Sequence, residues 1–203
     1  DDMAATTEQL CRDVEGCRLG YTQSDEISLI LTDFTTASTQ AWFDGNQQKI
    51  VSITASIATA VFNELRPGNR ALFDSRAFTI PDPVDVENYL IWRQQDATRN
   101  SIQMAGQAHF SHTQLHKVNT GQIQEMLWAQ HGVNWNDYDP RFKRGTVVHP
   151  ETVTSAVTYT DKRTGQECTT DAVQRRVWTT TAAPEFTKDR EWLTRALDPK
   201  DAP

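Results

Sequence analysis

Two adjacent carboxylates, Asp25 and Glu26, follow Gln23 and Ser24 and precede Ile27 to Leu31 (ISLIL), a run of β-forming residues. Cys17 to Thr22 reads as a short strand in front of them, so the four polar residues make the turn of a hairpin. Carboxylates held side by side on a rigid hairpin suit Mg²⁺, a hard cation that takes oxygen ligands. A metal in such a place neutralises phosphate charge and activates an attacking oxygen, which is the chemistry of phosphoryl transfer. An Asp-Glu pair is equally common as a plain solvated turn, so the hairpin needs support from other groups.

Three other sets of residues offer that support. Lys49 lies just after Trp42-Phe43 in a helical stretch, where a lysine can hold a triphosphate as a point charge, although an ordinary surface lysine has the same signature. Arg93 to Ser101 is a polar run broken only by Ala97, and Arg93, Asp96 and Asn100 share one helical face. That face is either turned to a ligand or is an exposed turn carrying a solvated salt bridge. Arg141 to Arg144 packs three cations around Phe142, a pattern that grips a phosphate backbone or simply decorates a surface. The chain has no P-loop, no G-x-G-x-x-G and no G-x-S-x-G, and no Ser-His-Asp or Cys-His set stands out, which weakens hydrolase and dinucleotide-binding readings. His109, His112 and His116 lack the H-E-x-x-H spacing or neighbouring cysteines of a zinc site.

The elements that must position these groups follow from periodicity. Met3 to Val14 reads as an amphipathic helix ended by Gly16. Ala37 to Leu65 reads as a second helix, with Trp42, Ile50, Ile53, Ile57, Val61 and Phe62 at three- and four-residue steps, closed by Arg66-Pro67-Gly68-Asn69. Ala71 to Ile80 reads as a strand. Val86 to Phe110 reads as one long helix with apolar ends and a polar middle. Gln122 to His131 is a short helix, Asn134 to Tyr138 a polar-aromatic loop, and Val147-Val148, Val153 to Tyr159 and Ala172 to Thr180 further strands, with a turn at Asp161 to Gly165 and a short helix around Trp192. The order helix, hairpin, helix, strand lacks one leading strand to be the β-α-β-β-α-β ferredoxin-like unit. The expected class is therefore α+β: a ferredoxin-like, polymerase-palm-like sheet with long helices over residues 1–140, and a β-rich extension over 141–203.

The bulk composition suits this. The chain has 203 residues, 37% of them apolar, enough for one domain with a modest extension. No apolar run is long enough to span a bilayer, and the acidic, polar start from Asp1 to Leu10 does not read as a secretory signal. Three scattered cysteines, Cys11, Cys17 and Cys168, make a poor disulfide framework and point to a reducing compartment, the cytoplasm. A net charge of −7 lowers non-specific affinity for nucleic acid and leaves binding to the placement of local Lys and Arg.

Taken together and in order, three stretches resemble one family: GYTQSDEISLIL (Gly20 to Leu31), NYLIWRQQDATRNSIQM (Asn88 to Met104) and FKRGTVV (Phe142 to Val148). They are similar to the tRNA-His guanylyltransferases, most of all to the bacterial-type guanylyltransferase-like 3′→5′ polymerases. The resemblance runs from about Asp1 to about Val148 and is looser beyond. It implies a polymerase-like palm, two Mg²⁺ ions, GTP or another NTP and ATP as substrates, and a tRNA 5′ end as acceptor. It assigns Asp25 as a carboxylate shared between metals, Glu26 as its support, and Ser24, Lys49 and Asn100 to the nucleotide. Arg93, Asp96, Asn136, Lys143 and Arg144 fall among its tRNA contacts, and the assembly it implies is a homo-oligomer, a tetramer. Where guanylyltransferases proper carry H-I-N-N, this chain reads Thr98-Arg99-Asn100-Ser101, which resembles the branch that repairs truncated tRNA 5′ ends against a template. The family also opens with a strand bearing an Asp-Gly pair that supplies further metal ligands. This sequence starts in the helix region after it, so the resemblance implies an enzyme as the parent protein and a half-built metal site in these residues. A tRNA-binding module without catalysis and a nucleotidyl cyclase on the same palm are the competing expectations.

Overall fold

The structure is a computed structural model that describes residues 2–198. Its centre is a four-stranded antiparallel sheet in the order β2-β1-β3-β4, built from β1 (Cys17–Gln23), β2 (Glu26–Leu31), β3 (Thr146–Thr160) and β4 (Glu167–Ala182). β1 is buried at every position because helices cover both of its faces. On one face, α1 (Asp2–Asp13) brings Leu10 and Cys11, with Val14 just beyond it, onto Cys17 and Val148. Gly20 permits this contact: a Cβ there would stand 2.6 Å from the Cys11 Sγ and from a methyl of Thr7. On the other face, Leu19, Tyr21 and Val147 pack with Leu90 and Ile91, Phe186 and Leu193.

Leu90 and Ile91 belong to α3 (Pro83–His109), which Asp82 caps and Pro83 opens. At 27 residues the helix is about 40 Å long and serves two cores. Its second half, through Ile102 and Ala105, joins Phe110, Ile123, Leu127 and Trp135 in a separate helical lobe. That lobe holds α4 (His112–Leu115) and α5 (Thr120–His131). The polar middle of α3 is thus the span between two apolar anchors. α2 (Gln47–Leu65) packs beside α1, while α6 (Pro140–Arg144) and α7 (Arg190–Leu197) close the sheet face that α3 covers.

The α+β class expected from the sequence is what the chain adopts. Two local expectations are corrected. The helix expected from Ala37 begins only at Gln47, because Asn46 caps it through the Lys49 amide and because Phe43 and Asp44 take left-handed φ values of 52° and 53° in the preceding 3-10 turn. Residues 71–80 are extended, with alternating exposure, but form no strand. Their backbone is engaged by side chains of α2 instead: Asn63 brackets Ala71 with two bonds of 2.9 Å, and Thr59 accepts from the Phe73 amide at 3.1 Å. Strands from both sides of residue 140 share one sheet. β3 pairs with β1 through Gly20, Tyr21 and Thr22 before it continues past Pro150 into the long hairpin with β4.

Candidate functional site

The β1–β2 hairpin closes at the Gln23–Glu26 pair, which leaves Ser24 and Asp25 as a two-residue turn. Ser24 has φ of 52°, where such turns favour glycine, so the tip carries a strained, non-glycine residue beside its carboxylate. The base of the hairpin is rigid. Thr22 Oγ1 donates to the Glu26 carbonyl at 2.9 Å, and the Tyr21 hydroxyl donates to the Arg144 carbonyl at 2.7 Å. Burial pushes the Tyr21 phenol up, with Arg93 opposing and Asp96 reinforcing the shift, so this donor stays protonated.

α3 runs across from the tip. Arg93, 14% exposed, forms ion pairs with Glu26 and, at 3.8 Å, with Asp96, and lies 5.0 Å from the ring centre of Trp92. Gln23 Nε2 adds a bond of 2.7 Å to Glu26. Asp96 also pairs with Arg99 and accepts from Asn100 Nδ2 at 3.3 Å. A hydroxyl pair, Ser28 with Tyr89 at 2.9 Å, ties β2 to the same helix. Two of the three carboxylates are therefore compensated by guanidinium groups. Asp25 is not: among the described residues nothing bonds or pairs with its carboxylate. A cleft of about 260 Å³ separates the tip, Gln23 to Glu26, from Asp96 and Asn100, and extends along α3 past Gln103, Met104 and Gln107.

The structure thus brings Ser24, Asp25, Glu26, Asp96 and Asn100 to one cleft, with Arg93 directly behind it. It does not bring Lys49 there. That side chain is exposed at the start of α2 and lies 5.6 Å from the Phe43 ring centre. Asn136, Lys143 and Arg144 form a second group beside α3, but not as an outward basic patch. Lys143 is 9% exposed, donates to the Asn136 carbonyl and sits 5.5 Å from the Trp135 ring centre. Trp135 in turn donates to Ser101 of α3 at 3.2 Å. The Arg144 Nε is buried and has no partner among the described residues. The Lys143 ammonium is turned inward by the carbonyl and the indole.

Residues 1–81 match the sequence profile described as tRNAHis guanylyltransferase. A solved structure described as a bacterial tRNA(His) guanylyltransferase (Thg1)-like protein in complex with ATP is 36% identical, superposes with a TM-score of 0.79, and covers 98% of this chain and 80% of its own. The chain belongs to the tRNA(His) guanylyltransferase family. A second structure of a bacterial Thg1-like protein, in complex with GTP, is also 36% identical, with a TM-score of 0.76, over 97% of this chain and 78% of that one. The tRNA(His) guanylyltransferase of Saccharomyces cerevisiae is 27% identical over 64% of this chain and 61% of its own length. The chain spans about three fifths of the length of the curated relatives it matches.

Among the residues that line this cleft, sequence reasoning missed Gln103, Met104 and Gln107. The signal was available: the face marked by Asp96 and Asn100 continues at the same helical steps through 103 and 107. It also missed Trp92 as the platform under Arg93, a contact that only the packing of α3 against β2 reveals.

Proposed function

We propose that the chain is the greater part of a tRNA 5′-end nucleotidyltransferase that adds nucleotides in the 3′→5′ direction, of the guanylyltransferase or the template-dependent repair type. The observation that carries this reading is the uncompensated Asp25 carboxylate at a strained, rigid hairpin tip facing a polar cleft, in a member of this family. The substrates are GTP or another NTP, ATP for activation, and a tRNA 5′ end. The protein works as a homo-oligomer, a tetramer, in the cytoplasm. Among the described residues no helix is long and apolar enough to cross a membrane.

Two Mg²⁺ ions belong to this reading, with Asp25 as the carboxylate they share. The residues fit the cation: Asp25 offers a free carboxylate with the Ser24 hydroxyl beside it, and Mg²⁺ commonly takes one or two carboxylates, with water and substrate phosphate completing its shell. Mg²⁺ would neutralise the triphosphate and lower the pKa of the attacking 3′-hydroxyl. The chain's own groups do the rest. Arg93 holds Glu26 against α3, which fixes the orientation of the tip. Ser24 donates to a nucleotide phosphate. Asn100, held by Asp96, presents its remaining amide hydrogen-bonding capacity to the nucleotide. Lys49 supplies triphosphate contact only after movement of α2 or of its side chain toward the tip. Arg93, Asp96, Asn136 and Arg144 contribute to the tRNA surface by position.

One observation favours a second reading, a tRNA-binding module without catalysis: among the described residues no three His, Cys, Asp or Glu groups come close enough to hold a metal by themselves. Nucleotide addition to a 5′-truncated, triphosphate-ended tRNA, with Mg²⁺ and each labelled NTP in turn, separates the two. Incorporation only of the base that pairs with the opposite strand supports the repair polymerase. Retained tRNA binding with no incorporation supports the module.

A further inference from the structure

The cleft has two chemically distinct ends. The hairpin end carries Asp25, Glu26 and Asp96. The far end, along the next turns of α3, carries only neutral groups: Asn100, Gln103, Gln107 and the thioether of Met104. No lysine or arginine lines the cleft. A phosphate at the far end would meet no cation. A nucleobase would meet what it needs, which is amides for its hydrogen-bonding edge and an apolar surface for its face.

The geometry supports that division. Asp96, Asn100, Gln103 and Gln107 recur at helical steps, so they form one stripe aimed into the same cleft. Asp96 to Gln103 spans about 10 Å of helix axis, on the order of the reach from a nucleotide's phosphates to its base. Gln103 and Gln107 are exposed, and among the described residues neither side-chain amide has a partner. Met104 between them is 59% exposed and offers the cleft a flexible, polarisable apolar surface. An ordinary solvated helix face would carry Lys or Glu here rather than two unpaired amides around a thioether.

We infer that Gln103 and Gln107, with Met104 as the contact surface between them, read the base of a nucleotide whose phosphates lie at the hairpin tip. This rests on the nucleotide site proposed above and adds to it the residues that set the protein's own preference for a base that is not paired with a template strand. The base belongs either to the incoming NTP or to the 5′-terminal nucleotide of the acceptor; the chemistry is the same for both.

The test uses the chain with Q103L/Q107L, two near-isosteric changes on an exposed helix face that leave the fold intact. Binding is measured with Mg²⁺ for GTP, ATP, CTP, UTP and inorganic tripolyphosphate, and separately for triphosphate-ended RNA hairpins with each of the four 5′-terminal bases. The wild-type chain is expected to show a base preference of about tenfold or more in one series, since one bidentate amide contact carries discrimination of that size. In the double variant the preference falls to within about twofold while tripolyphosphate binding is unchanged. Loss in the NTP series assigns the stripe to the incoming nucleotide, and loss in the RNA series assigns it to the acceptor. Circular dichroism and the melting temperature confirm that the variant is folded. An unchanged preference in both series, or no preference in the wild type, overturns the base-reading role while leaving the phosphate site standing. Failure of the wild type to bind any triphosphate overturns both this inference and the site on which it rests.

Discussion

The described residues form two β-hairpins, and their turns look alike in the sequence. Asp25-Glu26 ends one and Asp161-Lys162-Arg163 the other, each a charged cluster between β-forming runs. The structure treats them differently. The β1–β2 hairpin is short, its first strand is buried throughout, and its tip is held to α3 by Arg93 and by the Ser28–Tyr89 bond. The β3–β4 hairpin runs on far beyond the body, and from Glu151 to Arg176 most of its residues are exposed. Asp161 there makes only local contacts, with the Arg163 amide at 2.8 Å and within its own turn. What makes one turn a candidate site is the helix across from it, since a carboxylate gains chemical meaning from what shares its cleft.

Several substitutions sharpen that contrast. Leu90→Ala removes a fully buried side chain from beneath the first hairpin, and urea unfolding should show a loss of about 2–5 kcal/mol. Val177→Ala on the second hairpin, at 38% exposure, should cost less than about 1 kcal/mol by the same measurement. Equal losses would break the comparison. Arg93→Met leaves Glu26 and Asp96 without their shared cation, and a loss of about 1–2 kcal/mol is expected after allowing for solvent at Glu26. The same variant should loosen the tip, which hydrogen exchange at the Ser24 and Asp25 amides would report as faster exchange. Asp161→Ala, the counterpart in the other turn, should stay within about 0.5 kcal/mol of wild type.

Ser24→Gly should raise stability by up to about 1 kcal/mol, because glycine takes the positive φ without strain. It should at the same time weaken triphosphate binding through loss of the hydroxyl, and a gain in both would remove Ser24 from the site. The smallest effect concerns His149, whose pKa is pushed down by burial, with Glu151 at 3.6 Å opposing. The folded state therefore prefers the neutral ring, and the unfolded chain binds the proton more readily. Stability contributed this way is present above the unfolded value of about 6.5 and declines as pH falls below it. His149→Gln should flatten the urea midpoint between pH 5 and pH 7.5 relative to wild type.

Much of this was legible in the sequence, for physical reasons that differ by region. The hairpin showed because β-forming residues flank a polar turn of only a few residues. The α3 pattern, apolar ends around a polar middle, was legible as odd but not as meaningful: its sense lies in the two separate cores that Leu90 and Ile102 serve, and partner identity is not written in one helix's periodicity. Residues 71–80 alternate as a strand does, and nothing in their own sequence says that Asn63 and Thr59 of α2 will take their backbone groups. Lys143 sits in a basic cluster by composition, yet Trp135 and the Asn136 carbonyl draw it inward, a contact set by the packing of α6 against α3. Asp25 and Asn100 carry expected roles because the family resemblance reaches them residue by residue, whereas Gln103 and Gln107, although in helical step with Asn100, lie beyond the residues to which it gives a role.

The central claim is that Asp25 anchors a metal-dependent nucleotide site at the tip of the first hairpin. Equilibrium binding of GTP to this chain, with Mg²⁺ and with EDTA, in wild type and Asp25→Ala, tests it most directly. The account predicts that Mg²⁺ strengthens wild-type binding by about tenfold or more and has little effect on the folded variant. Equal Mg²⁺ dependence in the two proteins would contradict it.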